Sequence, residues 1–339
     1  MHMADALLNP AVGGVMWAAG AAAIGVSAKK AASDDAVGGR IPLMAVSGAF
    51  VFAAQMINFT IPGTGSSGHI GGGILLAALL GPFPALLTIA SVLLIQCLFF
   101  ADGGLIAYGA NLFNMGVIPC LLAYPLVFKP MLSKGWTPWR LRAASVVSAT
   151  AGLLAGAFCV VLETLASGIT LLPFGAFTLL MMPIHLAIGI VEGVITAAVL
   201  SYVYAARPEI LERAASGGSF EPRRGKRSLK PVLLVLAAAA VVTGALLSQF
   251  ASSFPDGLEW SIERTAGGAE LESDAPSFHR AQSVQDATAF MPDYGFGEES
   301  ERGEALGTAT AGIIGAGITA ALAVGAGVAA RAFKRGRSA

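Results

Sequence analysis

The sequence predicts an all-α fold: a polytopic bundle of transmembrane helices, followed by a C-terminal two-helix hairpin module. Two observations support this prediction. Hydrophobic residues make up 55% of the chain and charged residues only 12%, whereas soluble domains carry roughly 25% charged residues. Long apolar segments also follow one another with short polar intervals, and crossing a bilayer takes about 20 mostly apolar residues. The formal net charge is zero, so no basic surface suggests nucleic acid, and lipid is the expected surrounding.

Eight segments are apolar and long enough to span: 11–28, 41–60, 84–101, 109–128, 143–165, 173–204, 231–250 and 307–330. The stretch 70–82, "IGGGILLAALLGP", is too short and glycine-rich to span comfortably. It is either a re-entrant piece or a short helix buried among its neighbours. The first apolar run begins too close to Met1 for a basic leader region, so we expect no cleaved signal peptide.

Charge predicts the orientation of the helices. If the N-terminus lies outside and 70–82 counts as one passage, 18 of the 21 Lys and Arg residues fall on the inner side, as cytoplasmic loops favour. If 70–82 did not cross the membrane, the basic residues after residue 102 would fall on the wrong side. We therefore expect a multi-pass plasma-membrane protein with an outer N-terminus and a cytoplasmic C-terminus. His2 and His69 then share the outer face.

Composition divides the chain into two parts. Residues 1–213 form the predicted bundle, and the polar, basic stretch 214–230 is a predicted cytoplasmic linker. Residues 231–339 form a module with two transmembrane helices around an outer segment near 251–306. That segment holds twelve acidic and three basic residues. It is therefore an acidic outer loop.

The first two residues are a candidate metal chelate. The Met1 amine, the His2 backbone nitrogen and the His2 Nδ1 atom would close a five-membered and a six-membered ring. Tetragonal nitrogen sites suit Ni(II) or Cu(II), and His69 in "GTGSSGH" lies on the same side to fill the open position. The alternatives stay open: His2 is an incidental terminal residue, and His69 is a hydrogen-bonded surface histidine in a tight glycine loop.

Other polar side chains have two readings each. Gln55 and Asn58 precede the His69 loop, so they either hold the free nitrogen of a metal-bound imidazole or bond between helices. His185 and Glu192 share one face of a predicted spanning helix. Ionisable residues there suggest function by default, as an ion path, but they equally could hold helices or a partner subunit together.

An aspartate, a histidine and the three cysteines are expected to have no role at the metal site. We expect Asp102 in "FFADGG" to be an outer turn residue and His279 to be solvated. The three cysteines lie in apolar runs at irregular spacing, which gives neither a disulfide framework nor a zinc pattern. We interpret them as small core residues: Cys97, Cys120 and Cys159.

Several long motifs, in order, resemble the substrate-binding membrane (S) component of nickel/cobalt energy-coupling-factor transporters. They are "MHMADALLNPAVGG", "VFAAQMINFTIPGTGSSGHIGGG", "FFADGGLIAYGANLFNMG" and "PIHLAIGIVEGVITA". "FPDGLEW" resembles the signature of the small partner subunit, the PDGLE domain, here on the same chain. The resemblance implies that the Met1 amine, the His2 backbone nitrogen and imidazole, and His69 bind the metal.

The resemblance also implies partners: a coupling transmembrane (T) subunit and cytoplasmic ATPase subunits. No Walker motif occurs in the sequence, so we expect no enzyme activity in this chain and no bound cofactor; the metal is its cargo. Nickel is expected, because "MHMADAL" replaces the "MHIPDG" of cobalt-associated relatives. The PDGLE-type module is expected to assist transport without supplying a ligand.

Three alternatives remain. The first is Co(II) uptake by the same mechanism. The second is a proton-coupled secondary metal transporter that uses His185 and Glu192 as a relay. The third is a membrane metal sensor or scaffold that binds metal without transporting it.

Overall fold

The computed structural model of the chain describes residues 1–33, 37–216, 228–268, 275–296 and 301–335. The N-terminal part contains α1 (Pro10–Ser33), α2 (Val37–Gln55), β1 (Phe59–Ile61), β2 (Ser66–Gly68), α3 (Gly73–Leu80) and α4 (Pro82–Phe99). Next comes one continuous helix, made of α5 (Tyr108–Leu112), a π-helical stretch (Phe113–Phe128) and α6 (Lys129–Leu132). The bundle ends with α7 (Pro138–Ala166), α8 (Phe174–Ala206) and α9 (Pro208–Ser216). The module contains α10 (Lys230–Ala245), α11 (Gly257–Ala266), α12 (Pro276–Thr288) and α13 (Glu301–Arg335).

All eight predicted spanning segments coincide with helices. In the described part of the chain, six are long and apolar enough to cross a membrane: Pro10–Ser33, Pro82–Phe99, Tyr108–Leu132, Pro138–Ala166, Phe174–Ala206 and Ala305–Ala332. Of the other two, α10 has only 16 residues, whereas α2 has 19 residues, one more than α4, but is not among the six. They end before the predicted limits because the chain turns toward β1 after Gln55 and into a short 3₁₀ turn, Leu247–Phe250, after α10. The polytopic helical bundle is confirmed.

The passage predicted at 70–82 is a short helix buried among its neighbours. All eight residues of α3 are buried. The side chain of Gln55 donates to the carbonyl of Gly71 at 2.8 Å. The side chain of Arg40 donates to the carbonyl of Leu80 at 3.0 Å. Because Gln55 and Arg40 lie near opposite ends of α2, residues 71–80 run along that helix, and the re-entrant alternative is not adopted.

A two-stranded hairpin precedes α3, which the sequence analysis did not predict. β1 and β2 pair antiparallel, with Thr60 opposite Ser67. The outer edge of β2 binds the module, because the Ser67 N–H donates to the Pro255 carbonyl at 2.8 Å. The hairpin therefore joins the bundle to the module directly beside His69.

The module packs against the bundle rather than standing apart from it. Helices α10 and α13 both pack on α2 and on each other, and α13 also contacts α1 and α4. α10 and α13 approach closely where glycines meet, since a Cβ on Gly244 would lie 3.2 Å from the backbone of Gly312. Small residues at such crossings allow backbones to pack tightly. Of the predicted linker, 214–216 belong to the end of α9 and 217–227 lie outside the described residues.

Candidate metal-binding site

The N-terminal segment is buried and held by backbone hydrogen bonds. The side chain of Asn111 clamps Met3: its Oδ1 atom accepts from the Met3 N–H at 2.7 Å, and its Nδ2 atom donates to the Met3 carbonyl at 3.1 Å. The N–H of Gly104 also donates to that carbonyl, at 2.8 Å. Met3 and Leu8 are almost fully buried. The chain start is therefore a fixed structural element, and the Met1 amine has a defined position.

His69 points its Nε2 atom at the Met1 amine, and the two nitrogens lie 2.8 Å apart. The Nδ1 atom of His69 lies 3.1 Å from the carbonyl of Ile70. Because a carbonyl only accepts, Nδ1 carries the hydrogen and Nε2 presents its lone pair. Neighbouring nitrogens of a square-planar metal with bonds of about 2.0 Å lie roughly 2.8 Å apart. The amine donates a hydrogen bond to Nε2 in the structure, and the same separation fits two adjacent ligands of a planar metal.

The glycine loop that carries His69 is locked by buried polar groups. Both carboxylate oxygens of Glu192 accept backbone N–H groups, from Gly71 at 2.9 Å and from Gly72 at 3.0 Å. Gly72 has a φ of +77°, a conformation that side chains disfavour. A Cβ there would also lie 2.6 Å from Val51. The loop therefore requires glycine and an acceptor on α8 to keep its shape.

The structure brings neither Gln55 nor Asn58 to an imidazole nitrogen, contrary to one of the two expectations for them. Gln55 bonds to the backbone of Gly71. The backbone carbonyl of Asn58 accepts from Ser252 at 2.7 Å, and its side-chain Oδ1 atom has no hydrogen-bond partner in the described part of the chain. The physical reason is local, because the Ile70 carbonyl already occupies the free nitrogen of His69.

His2 lies beside His69 with its ring nearly parallel, at a centroid distance of 5.1 Å and an angle of 13°. Its Nδ1 atom is 3.1 Å from the Oδ1 atom of Asp102, and Asp102 also accepts from the Tyr294 hydroxyl at 2.5 Å. Within the described residues, the buried Nε2 atom of His2 has no hydrogen-bond partner. Asp102, expected to be a simple turn residue, therefore orients a candidate ligand. Chelation through Nδ1 requires His2 to release it.

A carboxylate from the module completes the cluster. The Met1 amine donates to the Oδ2 atom of Asp256 at 2.5 Å. The Oδ1 atom of Asp256 caps α11, accepting from Leu258 at 2.7 Å and from Glu259 at 3.0 Å. The sequence analysis missed this contact. "PDGLE" does carry the Asp-x-x-Glu signature of a capping box, but that signature does not reveal which group the second oxygen meets.

Burial controls the charge states of the cluster. Burial, reinforced by the positive amine, lowers the pKa of His2 and of His69 to about 3 each. Both imidazoles are therefore neutral and able to bind metal at physiological pH. Burial opposes ionisation of Asp256, but the charge of the Met1 amine outweighs it and holds the pKa of that carboxyl well below its usual range. Asp256 is the negative partner of the amine.

His185 and Glu192 do not form a pair. No hydrogen bond joins them among the described residues, and each has another partner. The Nδ1 atom of His185 bonds to the Met181 carbonyl at 2.8 Å, while Glu192 holds the glycine loop. His185 lines a small cavity together with Met1, His69 and Asp256. The sequence left two interpretations of Glu192, a part of an ion path or a residue that holds helices together. Its hydrogen bonds to Gly71 and Gly72 give it a structural role.

Among the described residues, side chains alone do not make a metal site. Across the ranges that the structure describes, no group of three or more His, Cys, Asp or Glu side chains is arranged to hold a metal ion. The candidate site depends on the backbone amine of Met1 as a third donor. All three cysteines are free, and Cys97 and Cys120 are buried.

Residues 2–210 match the CbiM family, described as the cobalt uptake substrate-specific transmembrane region. The chain belongs to this family. Residues 230–332 match the PDGLE domain, so this CbiM-family protein carries both units on one chain. It is a multi-pass membrane component of nickel/cobalt transport and not an enzyme.

Individual relatives agree with the family. A protein of Haloquadratum walsbyi, named as a metal transport protein, is 36% identical over 66% of this chain and 98% of its own length. A "Probable fused nickel transport protein" of Lactiplantibacillus plantarum is 29% identical over 81% of this chain and 84% of its own. A crystal structure of a truncated transition metal transporter has a TM-score of 0.53 and 33% identity, over 60% of this chain and 99% of that one.

Proposed function

We propose that this CbiM-family protein binds Ni(II) at the outer face of the membrane and passes it inward. The ligands are the Met1 amine, the His2 backbone nitrogen, the His2 Nδ1 atom and the His69 Nε2 atom. One observation carries the proposal: the amine and Nε2 lie 2.8 Å apart, the spacing of adjacent nitrogens around a square-planar metal. The neutral imidazoles and the nearby carboxylates of Asp102 and Asp256 suit a divalent cation.

Metal binding rearranges two contacts seen in the structure. The amine gives up its ion pair with Asp256 and releases a proton to solvent, because only the uncharged amine has a lone pair for the metal. The His2 backbone nitrogen releases its proton to solvent in the same way. His2 turns its Nδ1 atom from Asp102 toward the metal, since amide and Nδ1 close the six-membered chelate ring. These exchanges replace two ion-pair or hydrogen-bond contacts with metal bonds, so they set part of the cost of binding.

The chain acts as the S component of an ATP-driven energy-coupling-factor system. A coupling T subunit and cytoplasmic ATPase subunits supply the driving force, because the sequence carries no Walker motif. The chain divides functionally at the 214–230 linker into the metal-binding bundle, 1–213, and the module, 231–339. The orientation is an outer N-terminus and a cytoplasmic C-terminus, which the distribution of basic residues supports.

Co(II) is the second candidate cargo, favoured by the cobalt description of the family. Nickel is preferred because the start of the chain is "MHMADAL" and a relative that aligns with 81% of this chain is named for nickel. Proton-coupled transport through His185 and Glu192 has less support, since both oxygens of Glu192 are engaged by the glycine loop.

The test is uptake into vesicles that contain the full chain, its T subunit and the ATPase subunits, with internal metal measured by mass spectrometry. Nickel should accumulate only with ATP and should continue after a protonophore abolishes the proton gradient. Omitting the ATPase subunits is the control. Accumulation without them, driven by a proton gradient, would establish the secondary transporter instead, and tight binding without accumulation would establish the sensor.

A further inference from the structure

We propose that Asp256 is an entry ligand: its Oδ2 atom binds the incoming metal together with the Met1 amine and the His69 Nε2 atom, before the His2 chelate closes. The inference rests on the proposed function and deepens it, because it gives the module a chemical role at the site. The sequence analysis expected the module to assist transport without supplying a ligand. The structure puts its carboxylate 2.5 Å from the amine.

Three distances define the entry site. The amine lies 2.8 Å from His69 Nε2 and 2.5 Å from Asp256 Oδ2, and Nε2 and Oδ2 lie 3.8 Å apart. These are the sides of a nearly right-angled triangle, with the amine at the right angle. Such a triangle gives three corners of a square whose centre is about 1.9 Å from each donor, close to ordinary metal–nitrogen and metal–oxygen bond lengths of about 2.0 Å.

The corner of the square that Asp256 occupies is the position of a different ligand in the final chelate. The amine is adjacent to His69 on one side, so the corner opposite His69 belongs to the His2 backbone nitrogen, which closes the five-membered ring with the amine. In the structure the Oδ2 atom of Asp256 stands at that corner. A carboxylate is already an anion, whereas a backbone amide must lose a proton to bind metal. Asp256 therefore holds the position until the amide nitrogen takes it.

Asp256 is fixed in the direction that this role needs. Its Oδ1 atom is committed to the N–H groups of Leu258 and Glu259, so Oδ2 is aimed at the amine. The side chain of Asp256 keeps 12% of its surface exposed, so the carboxylate is not fully enclosed. The preceding residue, Pro255, is pinned to β2 through Ser67. The module thus delivers a rigid oxygen donor to the open side of the site.

The experiment follows the rate of nickel loading into the purified full chain with its native Met1, by stopped-flow absorbance of the chelate. Asp256→Asn keeps an oxygen for the helix cap and removes the anionic donor, and Asp256→Ser keeps a cap with no such donor, since Asn and Ser both cap helices well. Asp286→Asn is the matched control, because Asp286 is an exposed acidic residue of the same outer segment. It reports loss of one steering charge, an effect that fades with salt.

Both Asp256 variants should load at least about tenfold more slowly at low and high salt. Their final affinity should not fall, because their amine gives up no ion pair when it binds metal. Asp286→Asn should load like wild type at high salt. Loading of Asp256→Asn at the rate of Asp286→Asn would overturn the proposal, and so would a large loss of affinity with an unchanged loading rate. Failure of the wild-type chain to form a planar nickel complex would instead overturn the proposed function.

Discussion

The Nε2 atom of His69 lies 2.8 Å from the amine nitrogen of Met1, 68 residues earlier in the chain. The amine donates to this nitrogen, because Nε2 carries no hydrogen and can only accept. Here the lone pair of Nε2 and the amine converge at the end of a clamped N-terminal segment. The relationship makes the first residue of the chain a candidate ligand, and the following predictions test it.

Adding two alanines before Met1 should abolish tight nickel binding. The new amine would lie three residues before His2, so it could no longer close a five-membered ring with the His2 backbone nitrogen. A single alanine is unsuitable, because an Ala-Met-His start would itself offer nickel a planar set of an amine, two backbone nitrogens and an imidazole. The buried space around Met1 leaves little room for the insertion, so the amine contact with His69 would also be lost. Isothermal titration of the purified protein measures the effect.

The control for that experiment is the same two alanines added after Ala339, which should leave binding unchanged. A protease-cleavable extension gives a second control, because cleavage back to Met1 should restore the wild-type affinity. Binding of nickel by the uncleaved chain with wild-type affinity would show that the Met1 amine is not a ligand.

Replacing either histidine with alanine should weaken nickel binding by more than about 100-fold, beyond the 10–100-fold that loss of a supporting residue costs. His2→Ala and His69→Ala each remove one imidazole donor. Neither side chain lies within a spanning helix, so the helical content and expression of the protein should be retained. His279→Ala is the matched control, because His279 is exposed in the outer segment. Equal affinity of His69→Ala and His279→Ala would remove His69 from the site.

Glu192→Ala should weaken nickel binding about 10-fold to 100-fold through the His69 loop, the range typical of supporting residues. It leaves the N–H groups of Gly71 and Gly72 buried without an acceptor, at a cost of about 1–3 kcal/mol each. Glu192→Gln keeps one oxygen and should fall between wild type and alanine. Titration with nickel and a thermal melt in detergent give the two readouts. The proton-relay alternative would be supported if Glu192→Ala bound nickel with wild-type affinity but lost the uptake that a proton gradient drives.

Competition between metals should follow the donor set. Cu(II) should displace nickel, because it stands above nickel in the divalent affinity order and accepts a square plane. Zn(II) prefers a tetrahedral site and should displace nickel poorly, while Mg(II) and Ca(II) prefer oxygen and should not compete. Equilibrium titration against each metal at equal concentration measures the order. Displacement of nickel by an equal concentration of zinc would contradict the planar nitrogen site.

The spanning helices and the glycine loop could be predicted from sequence because their signals are local. Apolar length predicts the helices, and a histidine within a glycine run marks the loop. Asp256 and Asp102 could not be assigned in this way, since each contact depends on how distant segments pack. Gln55 and Asn58 were expected to hold the free nitrogen of His69 because only side-chain donors can be read from sequence, whereas the group that holds this nitrogen is the carbonyl of Ile70. Every residue has a backbone carbonyl, so the residue type does not reveal which carbonyl will accept a hydrogen bond.

Only part of the module's structure could be predicted from sequence. Its two long helices were predicted from hydropathy, and its acidic character from composition. The pairing of residues 252–256 with the β1–β2 hairpin was not, because three-residue strands carry too short an alternation to detect. This pairing brings the module to the metal-binding end of the bundle, so the module is part of the site's surroundings and not only an attached hairpin.

The most direct test of the account is the absorption spectrum and magnetic state of nickel bound to the purified full chain with its native Met1. An amine, a deprotonated amide and two imidazoles form a planar, strong-field set that favours low-spin d8 nickel. We predict a yellow, diamagnetic complex with one nickel per chain. A paramagnetic complex with a tetrahedral or octahedral spectrum would contradict the claim that the chain start and His69 together build the site.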